Sequence, residues 1–369
     1  MKIKTITCHD VYNYGASLQA YALQRYLRDL GHEVEIINYK PDYLSFLYDV
    51  MGVSPNWNSN FLLRWAYRIF RLPMRIRGLK RKKAFDLFTK EMLVLTSRRY
   101  ESNETLLSVP PGADAYIAGS DQIWNTSYKN GKDPAFYLDF AEKGARRLSY
   151  AASFSTKKIV SGYEDFVRTG LSKFDFITVR ERDGLKILDS LGLKGTQVLD
   201  PVFLLSTEQW DELTVEIPEE EGYIFVYDLA GNPLLPKFAK RLAQKTGKKI
   251  LAVRDNNKVP YADIVVKDAG PCEFLSYLKR ASYVIADSFH ATAFALLYGK
   301  ELFVFGRLDG EINSRMENLL SLVGCRERYI SEENFDADRF PLDPIQISKR
   351  LTAEISHSKE CLQKMLGGR

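Results

Sequence analysis

Ala286-Asp287-Ser288-Phe289-His290-Ala291-Thr292-Ala293-Phe294 is the stretch from which the fold can be read. The apolar run Tyr283 to Ala286 ahead of it reads as a buried strand, and Ala293 to Tyr298 behind it reads as the start of a helix. The polar cluster therefore lies on a strand-to-helix turn. In an open α/β sheet such a turn sits at the carboxyl edge of the strands, where ligands bind and where free helix N–H groups favour an anion. His290 is one of four histidines in the chain. Its position alone leaves two readings open: a structural residue bonded to local carbonyls, or a group facing a ligand.

Outward from that stretch the same alternation continues. Tyr223 to Tyr227, Lys249 to Val253 and Ile264 to Val266 read as strands, and Leu235 to Thr246 and Pro271 to Ala281 as helices, with Glu301 to Phe305 following. The pattern predicts a parallel sheet. The first half opens in the same way. Lys4 to Thr7 is a short β-branched strand, Leu18 to Leu30 carries helical spacing closed by Gly31, and Glu33 to Tyr39 is the next strand. This βαβ opening predicts a Rossmann-like half without a GxGxxG dinucleotide fingerprint. Ala115 to Ala118, Leu148 to Ser155, Phe176 to Val179 and Gln197 to Leu199 add further strands. Ser206 to Gly222 is polar and acidic and reads as a linker. The expected organisation is an N-terminal domain over 1–205, a linker over 206–222, a C-terminal domain over 223–340 and a final helix within 341–369 that crosses back to the first domain.

Composition narrows the function classes. With 45% hydrophobic and 27% charged residues, the 369-residue chain is that of a globular protein of about two domains. The net charge of +5 is local: between Met51 and Phe85 there are nine Lys or Arg and no Asp or Glu, so the remainder carries 5 − 9 = −4. That argues against a general nucleic-acid binder and for one basic patch. The patch, 57–83, interleaves arginines with large apolar residues. Either it lies on anionic lipid with Trp57, Phe61, Trp65 and Phe70 dipping in, or its aromatics pack back on the domain. The four cysteines show no ligand or disulfide spacing, so no metal site is expected. The N-terminus lacks a signal-peptide h-region, which places the protein in the cytoplasm, peripheral to the inner membrane face if the patch meets lipid.

Candidate site residues gather at strand ends. Asp10, Asn13, Tyr14 and Gly15 fall in the loop after the first strand, and Gly15 either admits a ligand to the backbone or only shapes a turn. Gly119-Ser120-Asp121-Gln122-Ile123-Trp124-Asn125 puts a hydroxyl, a carboxylate, amides and an indole together, a mixture suited to a sugar's hydroxyls and C–H face. Arg180 either pairs an anion bidentately or neutralises Glu181 and Asp183. Asp200, before Pro201, either bonds a ligand or caps its turn.

Taken in order, Asn13-Tyr14-Gly15-Ala16-Ser17-Leu18-Gln19-Ala20-Tyr21-Ala22-Leu23, Gly119 to Asn125, Ser149-Tyr150-Ala151-Ala152-Ser153-Phe154, Val179-Arg180-Glu181, Leu199-Asp200-Pro201, Asp287-Ser288-Phe289-His290 and Asn313-Ser314-Arg315 resemble the polysaccharide pyruvyl transferase family. The resemblance implies an α/β fold of two Rossmann-like domains facing across a cleft, similar to GT-B glycosyltransferases. It implies transfer of the pyruvyl group of phosphoenolpyruvate to a sugar as a ketal, with no metal or organic cofactor beyond that co-substrate. By the same resemblance His290 is catalytic and Arg180 and Arg315 lie near the anionic donor; Asp121 is taken as a second catalytic residue and Ser288 as a further donor contact. Asp10, Asn13, Tyr14, Gly15, Ser120, Gln122, Trp124 and Asn125 would face an acceptor glycan or lipid-linked oligosaccharide. Ala291 departs from the family pattern, which usually has glycine after the histidine. Two other functions suit the same architecture: a nucleotide-sugar glycosyltransferase and a non-catalytic glycan-binding protein.

Overall fold

The computed structural model describes residues 1–45, 60–254, 259–307, 313–332, 335–336 and 342–367. Trp57, where the basic patch was expected to begin, lies outside them. Two parallel sheets organise the chain. The first contains β1 (Lys2–Ile6), β2 (Glu33–Tyr39), β3 (Leu95–Tyr100), β4 (Ala115–Ala118) and β5 (Arg146–Ser149) in the order β3-β2-β1-β4-β5. A short pair, β6 (Thr178–Val179) and β7 (Thr196–Gln197), joins its β5 edge through single bridges Leu148 to Phe176 and Ala152 to Val179. The second sheet contains β8 (Ile224–Tyr227), β9 (Ile250–Val253), β10 (Ile264–Val266), β11 (Tyr283–Ala286), β12 (Glu301–Phe305) and β13 (Tyr329–Ile330) in the order β10-β9-β8-β11-β12-β13. The protein is thus α/β with two Rossmann-like domains, the architecture expected of it.

Both sheets reverse their winding once. In the first the reversal falls between β1 and β4, where Ile6 pairs with Ala118; in the second it falls between β8 and β11, where Tyr227 pairs with Ala286. Such switch points open a crevice at the carboxyl ends of the strands. The loops leaving β1, β4, β8 and β11 therefore converge on one region.

The Leu148 to Ser155 strand is shorter than its sequence suggested. β5 stops at Ser149, because Ala151 (φ 50°) and Ser155 (φ 59°) adopt left-handed backbone that no ladder accommodates. The polar Ser206 to Gly222 stretch is more than a tether. Ser206 and Gln209 form a capping box on the helix Thr207–Asp211, and Trp210 is fully buried, 4.9 Å from the Phe294 ring and 5.9 Å from the Tyr21 ring. The helix Pro344–Met365, capped by the Asp343 carboxylate, buries Ile347 and Leu351 in the core shared with the second sheet. Its far end buries Leu362 and Met365 among Ile3, Leu27 and Ile117 of the first.

The basic excursion forms two helices, Phe61–Arg77 and Leu79–Met92. Phe85 and Phe88 of the second are buried against Tyr14 and Tyr21. The first keeps Phe61, Trp65 and Phe70 exposed, so those aromatics do not pack back on the domain.

Candidate active site

The site is built around a carboxylate. Asp200 follows β7, and its Oδ1 caps its own turn by accepting from Val202 N–H at 3.1 Å. Its Oδ2 takes Arg180 Nη1 at 2.7 Å and lies 3.0 Å from Ser120 Oγ and 3.5 Å from His290 Nε2. The turn-capping reading of Asp200 is thus realised on Oδ1, while Oδ2 is taken by side chains of the protein. Burial alone would raise its pKa, but His290 and Arg180 outweigh burial and hold the carboxyl well below the usual range.

Arg180 is buried at the end of β6, its guanidinium carbon 4.5 Å from the centre of the Phe289 ring. Nη2 is 3.8 Å from Asp121 Oδ1, and Nε is 3.9 Å from Glu181 Oε2. Among the described residues only Nη1 makes a close bond, and Nε and Nη2 are buried without a hydrogen-bond partner. Glu181 is occupied with the backbone, since its Oε1 accepts from Ser153 Oγ, Phe154 N and Ser155 N at 2.9 to 3.0 Å. It fixes the loop after β5, which in turn bridges to Asp121 through Ala152. Asp121 has φ 71°, a left-handed conformation that aspartate tolerates better than most residues. Its carboxylate stays partly open to solvent.

His290 arrives from the opposite domain, on the first turn of the helix Phe289–Leu297. It stacks on the backbone of Gly15 so closely that a Cβ at position 15 would lie 1.9 Å from Nδ1 and 2.2 Å from Cγ. Gly15 is thus required for close approach, and what approaches is the imidazole of His290. Ser288 precedes the same helix, and its hydroxyl makes no cap to the helix N–H groups. Ala291 is fully buried, its methyl part of the core that includes Leu18 and Phe294.

Arg315 completes the cluster from the helix Ser314–Val323. It is buried, and among the described residues no carboxylate pairs with it; its Nε has no hydrogen-bond partner. Burial and then the neighbouring Arg180 charge press its guanidinium down to about 10. A cation in the first turn of a helix also opposes the helix dipole. Arg180, Asp200, Phe289 and Arg315 line one small enclosed cavity. Arg180 has Asp200, Asp121 and Glu181 at 2.7, 3.8 and 3.9 Å. Arg315, crowded by Arg180 and paired with no carboxylate among the described residues, is instead a buried cation that an added anion would stabilise.

Several residues expected to face an acceptor are structural. Trp124 is fully buried; its indole N–H donates to Phe136 O at 3.0 Å, and Tyr137, Phe154 and Phe174 surround its ring. No face is left for a sugar. Ser120 is fully buried between Asp200 and Ala151 O, and Asn125 is spent on Gln122 Oε1 and Ser127 N. Gln122 also accepts from Asn130 through its main-chain carbonyl. Asn13 caps α1 (Tyr14–Asp29) by accepting from Ala16 N–H. Tyr14 spans the domains: its ring stacks on Phe274 at 4.3 Å, and its hydroxyl donates to Ala269 O at 2.9 Å. Asp10 pairs with Lys40 at 3.1 Å and faces an open groove with Asp86 and Lys90. The cluster holds His290, Asp121, Arg180 and Arg315 together around Asp200, already a strand-end candidate in the sequence. It adds Glu181, which the sequence offered only as a partner for Arg180; Ser288 adjoins it along the chain through Phe289 and His290.

Fold and site together define a two-domain α/β protein with a cleft walled by buried arginines. The chain belongs to the polysaccharide pyruvyl transferase family, whose model matches residues 13–309, and so to a family of transferases acting on polysaccharides. No curated protein matches it. Similar solved structures include UDP-GlcNAc 2-epimerase from Neisseria meningitidis bound to UDP-GlcNAc, at 12% identity and a TM-score of 0.45, covering 99% of this chain and 100% of that one. The UDP-GlcNAc 2-epimerase of Methanocaldococcus jannaschii aligns at 10% identity and a TM-score of 0.48 over 93% of each chain. The spinosyn forosaminyltransferase SpnP aligns at 13% identity and a TM-score of 0.42, covering 98% of this chain and 95% of that one.

Proposed function

We propose that the protein transfers the pyruvyl group of phosphoenolpyruvate to a sugar of a glycan, closing a ketal on two hydroxyls. The observation that carries this reading is the pair of buried guanidiniums, Arg180 and Arg315, with Arg315 lacking a carboxylate partner among the described residues, beside His290 at a helix N-terminus. Phosphoenolpyruvate brings two anionic groups, a phosphate and a carboxylate, and the two guanidiniums with the helix N–H groups answer them.

In this reading a proton delivered to the methylene carbon by His290 creates an oxocarbenium ion at the adjacent carbon. A sugar hydroxyl adds to that carbon, and its proton passes to Asp121, the carboxylate in the cluster that is open to solvent. The C–O bond to phosphate breaks, inorganic phosphate leaves with the electron pair, and a second hydroxyl closes the ketal. Two hydroxyl protons are lost overall; one is balanced by the methylene that becomes methyl and one by the departing phosphate. Asp200 touches none of the reacting atoms and acts through Arg180 and His290.

Thermal melting with candidate ligands tests the reading. Phosphoenolpyruvate at about 100 times its dissociation constant adds about 2.7 kcal/mol of stability. Arg315→Gln should abolish that shift and the glycan-dependent release of phosphate. Stabilisation by UDP or GDP but not by phosphoenolpyruvate would establish a nucleotide-sugar enzyme instead.

A further inference from the structure

The helix Phe61–Arg77 does nothing for the cleft, yet its sequence is organised. Phe61, Trp65, Ile69 and Ile76 recur at steps of four, four and seven, which places them on one helical face. That face is open: Phe61 is 64% exposed, Ile69 66% and Ile76 56%, with Leu62 beside them at 76%. Seven of the large apolar side chains that stand exposed among the described residues belong to this one 17-residue helix. A soluble surface does not maintain so contiguous an apolar stripe without a use for it.

Charge decides the occupant. Arg64, Arg68 and Arg71 run along the edge of the stripe, and Lys80 and Lys83 continue on the following helix. From Met51 to Phe85 no acidic residue interrupts them. An apolar face flanked by cations, on a helix with no window apolar enough to cross a bilayer, fits an interfacial position. A protein partner of ordinary mixed charge would not require the complete absence of carboxylates.

We propose that Phe61–Arg77 docks the protein on an anionic lipid surface, with Phe61, Trp65 and Ile69 entering the acyl boundary and the basic side chains meeting lipid phosphates. The helix is not loosely hung. The next helix, Leu79–Met92, buries Phe85 and Phe88 against Tyr14 and Tyr21 at the domain boundary, so docking fixes the orientation of the cleft. The inference is independent of the reaction, because its test contains no substrate.

Sedimentation of the full-length protein with sucrose-loaded vesicles is the test. Vesicles containing phosphatidylserine should carry the protein down at low salt, and pure phosphatidylcholine vesicles should carry far less. F61S/W65S/I69S should lower partitioning at least about 100-fold, and K80Q/K83Q about tenfold, an effect that added salt reproduces. All five positions are exposed, so melting temperatures should stay at the parent value. Trp124 and Trp210 are already buried, so in a W57F background a blue shift on binding would report the exposed indole of Trp65. Equal binding to both vesicle types, undiminished binding of the triple variant, or self-association that vesicles do not compete away would each overturn the proposal.

Discussion

Replacing Gly15 by alanine sets two effects of opposite sign against each other. Within a helix the change from glycine to alanine is worth about 0.5 to 1 kcal/mol of stabilisation. Here the new Cβ would sit 1.9 Å from His290 Nδ1, whereas ordinary contact begins near 3.4 Å, so the ring must retreat by 3.4 − 1.9 = 1.5 Å. Overpacking costs about 1 to 3 kcal/mol, and a contact this short lies at the upper end of that range, so the clash wins and the net effect is destabilising by about 2 kcal/mol. A misplacement of about 1 Å in a reacting group costs about 100-fold in rate, so turnover should fall by at least that factor. The sign is the sharper readout. In a His290→Ala background the obstruction is gone, and Gly15→Ala should stabilise by about 0.5 to 1 kcal/mol. Differential scanning fluorimetry on the four proteins of this cycle measures both numbers. Gly112→Ala is the control, since its Cβ would meet only Glu142 Oε2 at 3.5 Å. Equal destabilisation by Gly15→Ala with and without the imidazole would refute the contact.

Other substitutions test the structural assignments. His9 is buried with Nδ1 3.3 Å from Thr7 O, and burial lowers its pKa to about 4, so it folds neutral and protonates when unfolded. Its contribution is full above pH 6.5 and is lost as pH falls from 6.5 towards 4, about 3 kcal/mol in all, so His9→Gln should flatten the melting temperature across that window. Trp124→Phe should keep activity, while Trp124→Ala should cost about 3 to 5 kcal/mol; loss of glycan affinity by a stably folded Trp124→Phe would restore the indole to the acceptor site. Tyr14→Phe removes one buried hydrogen bond and should cost about 1 kcal/mol, whereas Tyr14→Ala also removes the ring that stacks on Phe274 and should cost about 3 to 5 kcal/mol in melting experiments.

The sheets were legible because their strands are apolar runs separated by helical spacing, a signal contained within ten residues or so. The order of the strands and the points where each sheet reverses were not, since they depend on which strands pair; His290 and Arg180 came into view from their places at strand ends, and Arg315 from the family resemblance. Side-chain destinations were not, because they depend on residues distant in the chain. Gly15 is shaped by His290, Tyr14 by Phe274 and Trp124 by Phe154, and no local pattern records those partners. A tryptophan after a polar loop looks the same from sequence whether its ring faces a cleft or the core. Asp200 shows the opposite case. Its turn-capping role is local and was readable, while its bonds to Arg180 and Ser120 required the folded sheet.

The helix Pro344–Met365 has a mechanical consequence. It packs on the helix Ser314–Val323 of the second domain and buries Leu362 and Met365 in the core of the first, so the chain passes between the halves twice, once through the stretch around Trp210 and once here. A single strand of polypeptide would allow the halves to swivel about each other. Two crossings resist torsion better than one, and the double tie holds His290 of one half against Gly15 of the other.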